Sequence, residues 1–328
     1  MAIGKYSDMV VYQAEFQSGM VEKVAQFLAA FNEASRGAIR LVPRALKGHY
    51  GKEAFFEDVS SLVSRRDITS VSAATDLALT QGENISVKIN RKIGPVAQTL
   101  DAMKKAGLSE ADASRAFGEL AASRKLKDML NTGLIALEAA IEGNSAMNLD
   151  ITGESTKTAT RDAANRCLGL FGDSRNDIVC WVAHSHVNTA IVGEAITANV
   201  TGLSDIASIQ GAIPAWLGRP VIVTDAGALT DANASLTDTY NTLGLVAGAV
   251  SIEESEESSF ATEIVTGLEN LARRFQAEYA YNVSVKGFQW DVTNGAINPT
   301  DAALGTTTNW DQVAYDDKLT AGVRLVTQ

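Results

Sequence analysis

Residues 109 to 142 carry the strongest local pattern in the chain. Ser109 reads as a helix N-cap with Glu110 and Asp112 in the first turn. Apolar residues then recur at steps of three and four: Ala113, Phe117, Leu120, Met129, Leu130, Leu134, Leu137 and Ile141. Arg124, Lys125 and Lys127 interrupt the stripe near its middle, and Gly143 is the stop. About 33 residues of helix span about 50 Å at about 1.5 Å per residue. The mean globular helix has only about 11–12 residues, so whatever packs along this rod must itself be elongated.

The preceding region, Ile39 to about Thr99, has a different character. Short apolar clusters (Phe55–Phe56, Val59, Leu62–Val63) alternate with basic and small residues. Ile85, Val87 and Ile89 alternate with Ser86, Lys88 and Asn90, the pattern of a half-exposed strand, and Gln81 to Asn84 read as the turn before it. Some sixty residues without a helix are unusual inside one compact domain. They read as extended arms and a hairpin that pack on a neighbouring chain. Ahead of them, Val21, Val24, Phe27, Leu28, Phe31 and Ala34 predict a short amphipathic helix closed by Gly37.

After the long helix the chain reads as α/β. The spacing predicts a helix over 157–171, a buried strand over 178–182, a short helix over 188–192 and a strand over 219–224. Leu243 to Ile252 is a further apolar run, and the acidic stretch 253–259 reads as a solvated turn or helix start. Helical spacing returns over 264–279, followed by strands over 283–290 and 323–326. No repeat of fixed period is present.

The chain has 328 residues, 46% apolar and 20% charged, enough for a large core and one to three domains. A formal charge of −11 argues against a reader of duplex DNA, which needs a basic patch. Cys167 and Cys180 read as buried small hydrophobes in a reducing compartment. The N-terminus lacks the apolar segment of a secretory signal, and no run of about 18 apolar residues suggests a membrane span. The expectation is a soluble protein made in the cytoplasm.

Parts of the sequence match several candidate chemistries. His184 and His186 at i and i+2 would share a face of a strand and could begin a metal site, but His49 is the sole other histidine and no third ligand is supplied locally. Ser185, a neighbouring histidine and Asp225 could form a hydrolase constellation, though the Gly-x-Ser-x-Gly elbow is missing. Asp225, at the end of a β-branched run and followed by Gly227, could be a phosphatase-type nucleophile, yet lacks a second carboxylate nearby. Otherwise it caps or turns the chain after a buried strand. No Walker or dinucleotide motif occurs. Arg91–Lys92 and Arg65–Arg66 could touch nucleic acid; on so acidic a chain the favoured reading pairs them with acidic residues of a neighbouring subunit. The expectation is that no residue is catalytic, cofactor-binding or metal-binding, and that no cofactor is used.

The order of elements, with the block IVCWVAHSHVNTAIV at 178–192, GRPVIVTDAGA at 218–228 and NPTDAALGTTTNWDQVAYDDKLTAGVRLVTQ at 298–328, resembles the major capsid proteins of tailed double-stranded-DNA bacteriophages. The resemblance implies an α+β fold, the Hong Kong ninety-seven phage capsid fold shared with encapsulin shells. Its parts would be an N-arm (1–38), an E-loop (39–100), a peripheral domain with the long spine helix (101–157 and 256–328) and an axial domain (158–255). It implies a structural subunit that assembles as hexamers and pentamers into an icosahedral shell around the phage DNA. Asp225 and its strand would then serve packing, and Arg219 would make an ion pair within or between subunits. A chain beginning at Met1 suggests a separate scaffolding protein rather than a fused one. A portal protein, possible decoration or cement proteins and non-specific proximity to packaged DNA complete the implied partners, with no membrane. Assembly would occur in the host bacterial cytoplasm, and the protein would reside in the virion. Some members cross-link a lysine to an asparagine; Lys88 and Asn298 lie in the right broad regions, but no motif selects a pair. An encapsulin-like compartment shell and an Asp225-dependent hydrolase stand as the alternatives.

Overall fold

The computed structural model describes residues 35–43, 48–56, 63, 65, 68–69, 81–105, 110–198, 215–231, 238–266 and 269–328. The strands are β1 (Ile39–Pro43), β2 (Tyr50–Phe56), β3 (Gln81–Thr99), β4 (Asn148–Asp150), β5 (Ile178–Ala183), β6 (Ala215–Trp216), β7 (Arg219–Val223) and β8 (Thr230–Asp231). They continue with β9 (Thr239–Val246), β10 (Val250–Val265), β11 (Ala272–Val285), β12 (Phe288–Trp290), β13 (Trp310–Gln312) and β14 (Gly322–Thr327). The helices are α1 (Leu100–Lys105), α2 (Glu110–Gly143), α3 (Arg161–Gly169), α4 (Ser185–Ala198) and α5 (Asp301–Leu304).

The strands form two sheets. The first runs β1-β10-β11-β12-β13, with β3 also paired to β11 and β2 to β3. Its inward positions alternate along each strand: Ile39 and Leu41, Val87 and Ile89, Val250 and Ile252, then Tyr279, Tyr281, Val283 and Val285 are all buried. These meet one side of α2, whose Met129, Leu134, Leu137 and Ile141 are buried with Ala136, Ala139 and Ala140 between them. The approach is closest at Gly133, where a Cβ would lie 2.7 Å from the Ile252 Cδ1. A side chain there would push the rod off the sheet.

The second sheet runs β4-β14-β9-β5-β7-β6, with β8 on β9. β5 and β7 are parallel; β14 is antiparallel to β9 and parallel to β4. Its centre is Trp181, Leu243, Leu245, Val323 and Leu325, all buried. Gly244 lets the Trp181 ring and Val323 close over the strand, since a Cβ there would sit 2.9 Å from both. Helix α3 packs below β14, capped by the Thr160 hydroxyl accepting the Ala163 N–H at 3.1 Å.

Several sequence expectations hold closely. Helix 109–142 is Glu110–Gly143, the strand over 178–182 is β5, and the strand over 323–326 is β14. Others are corrected. The helix expected over 264–279 is instead the end of β10 and most of β11, and the acidic stretch 253–259 lies within β10. The apolar steps of four through Leu271, Phe275 and Tyr279 are also multiples of two, so helix and strand share them. The filled-in alternation Phe275, Ala277, Tyr279, Tyr281, Val283, Val285 is the strand's, and all six are buried. The predicted turn at 81–84 is the paired start of β3, and the helix over 188–192 extends to Ser185–Ala198. The helix of 157–171 shortens to Arg161–Gly169. The helix expected over 21–37 lies outside the described residues, save its end, where Arg36 and Gly37 both take positive φ.

Within the region 39–99, β1 and β3 are less dependent on neighbours than the sequence suggests. β1 pairs with β10, and β3 pairs with β11 from Val87↔Val283 to Thr99↔Ala272. Ile39, Leu41, Val87 and Ile89 belong to the subunit's own core.

Candidate functional site

The parallel strands β5 and β7 end side by side, with the Thr224 N–H donating to the Ala183 carbonyl at 3.1 Å. His184 follows β5, and Ser185 already begins α4. The two histidines therefore do not share a strand face; His184 leaves the strand and His186 sits in the first helical turn. Both rings lie against Tyr240, at 4.9 and 4.7 Å between centroids. The His184 Nδ1 accepts the His186 main-chain N–H at 3.2 Å, which occupies one of its two nitrogens. Among the described residues, no group of three or more His, Cys, Asp or Glu side chains gathers as a metal site would need. His49 lies in the bend before β2 of the first sheet, where its carbonyl accepts the Lys88 N–H at 3.1 Å.

Asp225 lies just past β7 and is 69% exposed. Its Oδ1 accepts the Ser185 N–H at 3.3 Å and lies 3.4 Å from the His184 Nε2. The Ser185 hydroxyl and amide hold the Asp225 carboxyl below the usual carboxylate range. An ionised, exposed carboxylate at the N-terminal end of α4 satisfies an orphan helix donor and complements the helix dipole. For a hydrolase the proton traffic is misdirected: the Ser185 hydroxyl turns to Asp225 rather than to an imidazole.

Arg219 makes no ion pair with any described residue. Its guanidinium donates to three main-chain carbonyls: Ile178 at 2.6 Å, Arg175 at 2.6 Å and Leu217 at 3.4 Å. It ties the tight turn before β7 to the start of β5.

The charged groups that the structure does gather lie along α2, in three stations. At the first, Arg91 of β3 reaches Asp128 of the helix at 3.3 Å, Thr132 at 3.3 Å and Asp301 at the start of α5. Asp128 Oδ2 also accepts the hydroxyls of Tyr279 at 2.9 Å and Tyr281 at 3.0 Å. Burial and then the Asp128 charge push both phenols well above their ordinary range. At the second station, buried Lys125 pairs with Glu254 of β10 and stands 5.2 Å from the Tyr279 ring centroid.

The third station joins the helix to the second sheet. Arg324 of β14 contacts Glu138 at 2.7 Å, Glu142 at 3.2 Å and Asp231 at 3.8 Å. The Asn241 amide donates to Glu138 and to Asp231, each at 3.1 Å. Burial pushes the Glu138 carboxyl up to about 7, against the pull of Arg324.

Arg91 was expected to reach a neighbouring subunit; it is engaged within its own chain. Lys92 stands opposite Glu278 in the sheet register. Arg65 is exposed, and Arg66 lies outside the described residues. Lys88 is buried, while the Asn298 Oδ1 accepts the Asn90 N–H at 2.7 Å and so caps the open edge of β3. Cys167 and Cys180 are buried free thiols; burial pushes Cys180 up to about 12 and Cys167 higher still, so neither is poised to react. A small groove at the hairpin root is lined by Lys52, Glu53, Asn84, Ser86 and Glu253, polar throughout and without an aromatic wall.

Sequence reasoning missed the second and third stations, and at the first it named Arg91 without its partners. Arg324 was the available signal, a lone charge inside the apolar strand Gly322–Thr327. Glu138 and Glu142, one helical turn apart on a face otherwise alanine and leucine, were the other.

A family model described as major capsid protein 13-like matches residues 8–324. Three solved structures illustrate the likeness in fold. The acid-stable capsid of Helicobacter pylori bacteriophage KHP30 is 12% identical, with a TM-score of 0.51 over 89% of this chain and 88% of that one. A structure from Mycobacterium phage Bobi is 12% identical, with a TM-score of 0.51 over 88% of each chain. The capsid asymmetric unit of Cyanophage Pam1 is 12% identical, with a TM-score of 0.50 over 85% of each chain. At such identities the likeness concerns the fold, which is the α+β, Hong Kong ninety-seven type expected from the sequence. No curated protein matches the chain.

Proposed function

The chain belongs to the family of 13-like major capsid proteins, and on that premise we infer that it assembles as hexamers and pentamers into an icosahedral shell around a phage DNA genome. Its role is structural, as a self-associating component of the virion. The observation that carries the reading is the family match over residues 8–324, nearly the whole chain. A separate scaffolding protein, a portal and a decoration or cement protein are the partners of this reading. DNA is met only by proximity, consistent with the net charge of −11. Assembly takes place in the host bacterial cytoplasm.

The subdomain division belongs to the same proposal: N-arm 1–38, E-loop 39–100, peripheral domain 101–157 with 256–328, and axial domain 158–255. Two sheets support it, the first along α2 and the second around β5, β7 and β9. In this division β4 and β14 belong to the peripheral segments and are hydrogen-bonded into the second sheet, whose other strands are axial. The proposal assigns no catalytic role to Asp225; the cap it provides for α4 supports that.

Electron microscopy and light scattering of the purified chain test the reading. Closed megadalton particles are expected; a stable compact monomer at micromolar concentration would sink it. Asp225→Asn, which keeps an acceptor for the Ser185 N–H, should assemble like the wild type, whereas a turnover that disappears with this change would restore the enzyme alternative.

A further inference from the structure

We propose that the ionic junction centred on Arg91 sets the angle at which the β2–β3 hairpin leaves the body of the subunit, and through that angle the diameter of the closed particle. The second half rests on the capsid reading above; the first does not.

The pairing of β3 with β11 ends at Val87↔Val283, and residues 81–87 continue outward paired with β2. The hairpin is therefore cantilevered from Val87, and the stretch of β3 that carries it, residues 87–91, is still paired with β11 and forms its root inside the sheet. Two adjacent residues at that root are pinned from different directions. The Asn90 N–H is held by the Asn298 side chain at 2.7 Å. Arg91, three-quarters buried, points to the opposite quarter and bridges Asp128 and Thr132 of α2 to Asp301 of α5. Three elements distant in sequence thus meet at one planar guanidinium, a group able to hold two carboxylates in fixed directions at once. Without it, Asp128 and Asp301 would face each other with like charge.

The junction is separable from the fold of the body. Asp128 also accepts the Tyr279 and Tyr281 hydroxyls, and Tyr281 donates to Thr132 at 2.9 Å, contacts that do not pass through Arg91 although Arg91 touches Tyr281 as well. Loss of the guanidinium therefore leaves helix and sheet these joints and removes the side-chain anchor from the strand that carries the hairpin. In a shell, a small change of angle at a cantilever's root is repeated at every subunit contact, so curvature follows from it.

The test compares the full-length wild type with Arg91→Lys and Asp301→Ala. Lysine keeps the charge but presents a single point that serves one carboxylate at a time. Asp301→Ala leaves Arg91 bound to α2 through Asp128 and Thr132 but without its carboxylate on α5. Spin labels on Ala54→Cys, exposed on β2 of the hairpin, and Tyr315→Cys, exposed on the body, read the angle in dissociated subunits; the two native cysteines are buried. A single narrow distance is expected for the wild type and a broadened or displaced one for both variants, with unchanged circular dichroism. Electron microscopy should show loss of the single wild-type diameter. An unaltered distance distribution overturns the proposal, as does loss of fold in both variants, because the body would then depend on the junction. Altered distances with unaltered diameters overturn the second half alone. Absence of wild-type particles, with the distance change present, counts against the capsid reading and leaves the angle assignment standing.

Discussion

Glu138 shows how a single side chain links this subunit to pH. Its folded value of about 7 lies above the ordinary 4.5. The folded state therefore binds the proton more tightly than the unfolded chain. The resulting stabilisation is complete below about pH 4.5 and is lost as pH rises through about 7. Isolated subunits should accordingly melt higher at pH 5.5 than at pH 8, by up to about 2 kcal/mol of stability. Glu138→Gln should flatten that slope and stabilise the protein at pH 8; thermal melts across this range decide it, and an unchanged slope would place the titration elsewhere. Arg324→Met works in the opposite sense. It leaves Glu138, Glu142 and Asp231 without their cation, and urea titration should show a loss of about 3–5 kcal/mol, the usual cost of breaking a buried pair from one side. At this scale the sequence was partly legible. Asp225 could be weighed as a cap because its place after a strand was visible, but the donor it caps, the Ser185 N–H, lies forty residues away.

Among the elements, the long helix was readable because its stripe is made of local spacing alone. The β10–β11 hairpin was not, because apolar steps of four satisfy both periods and the choice lies with cross-strand partners. Phe275 packs on Phe117 at 5.2 Å between centroids, and Tyr279 and Tyr281 stack at 6.0 Å with their hydroxyls on the helix; a helix over 264–279 would have none of these contacts. The second sheet depends on its glycines. Gly244→Ala would place a methyl group 2.9 Å from the Trp181 ring and from Val323. A loss of about 1–3 kcal/mol is expected from overpacking. Chemical denaturation measures it, and the Trp181 fluorescence should shift with it.

On the scale of the whole molecule, the two sheets are not successive blocks of sequence. The chain passes from the second sheet to the first between Val246 and Val250, and its final strand returns to the second between β9 and β4. Such interlocking makes independent unfolding of either sheet difficult, so a single cooperative transition is expected for the dissociated subunit. Assembly adds to that. Binding to sister subunits stabilises only the folded state, so particles should melt at a higher temperature than dissociated subunits. Calorimetry on both forms checks this; equal melting temperatures would mean that association contributes nothing to the fold.

The sequence by itself determined the long rod, the buried strands β5 and β14, the acidic net charge and, through the resemblance of its blocks to phage capsid proteins, the fold class. Each of these follows from neighbours within a few positions or from order along the chain. Only the tertiary structure decided that β1 and β3 belong to the subunit's own core, that 264–279 is strand, and that Arg91, Lys125 and Arg324 meet their carboxylates along one helix. Those outcomes depend on residues brought together from far apart in the chain. The free energy of such meetings comes from burial and charge pairing, which local periodicity does not record.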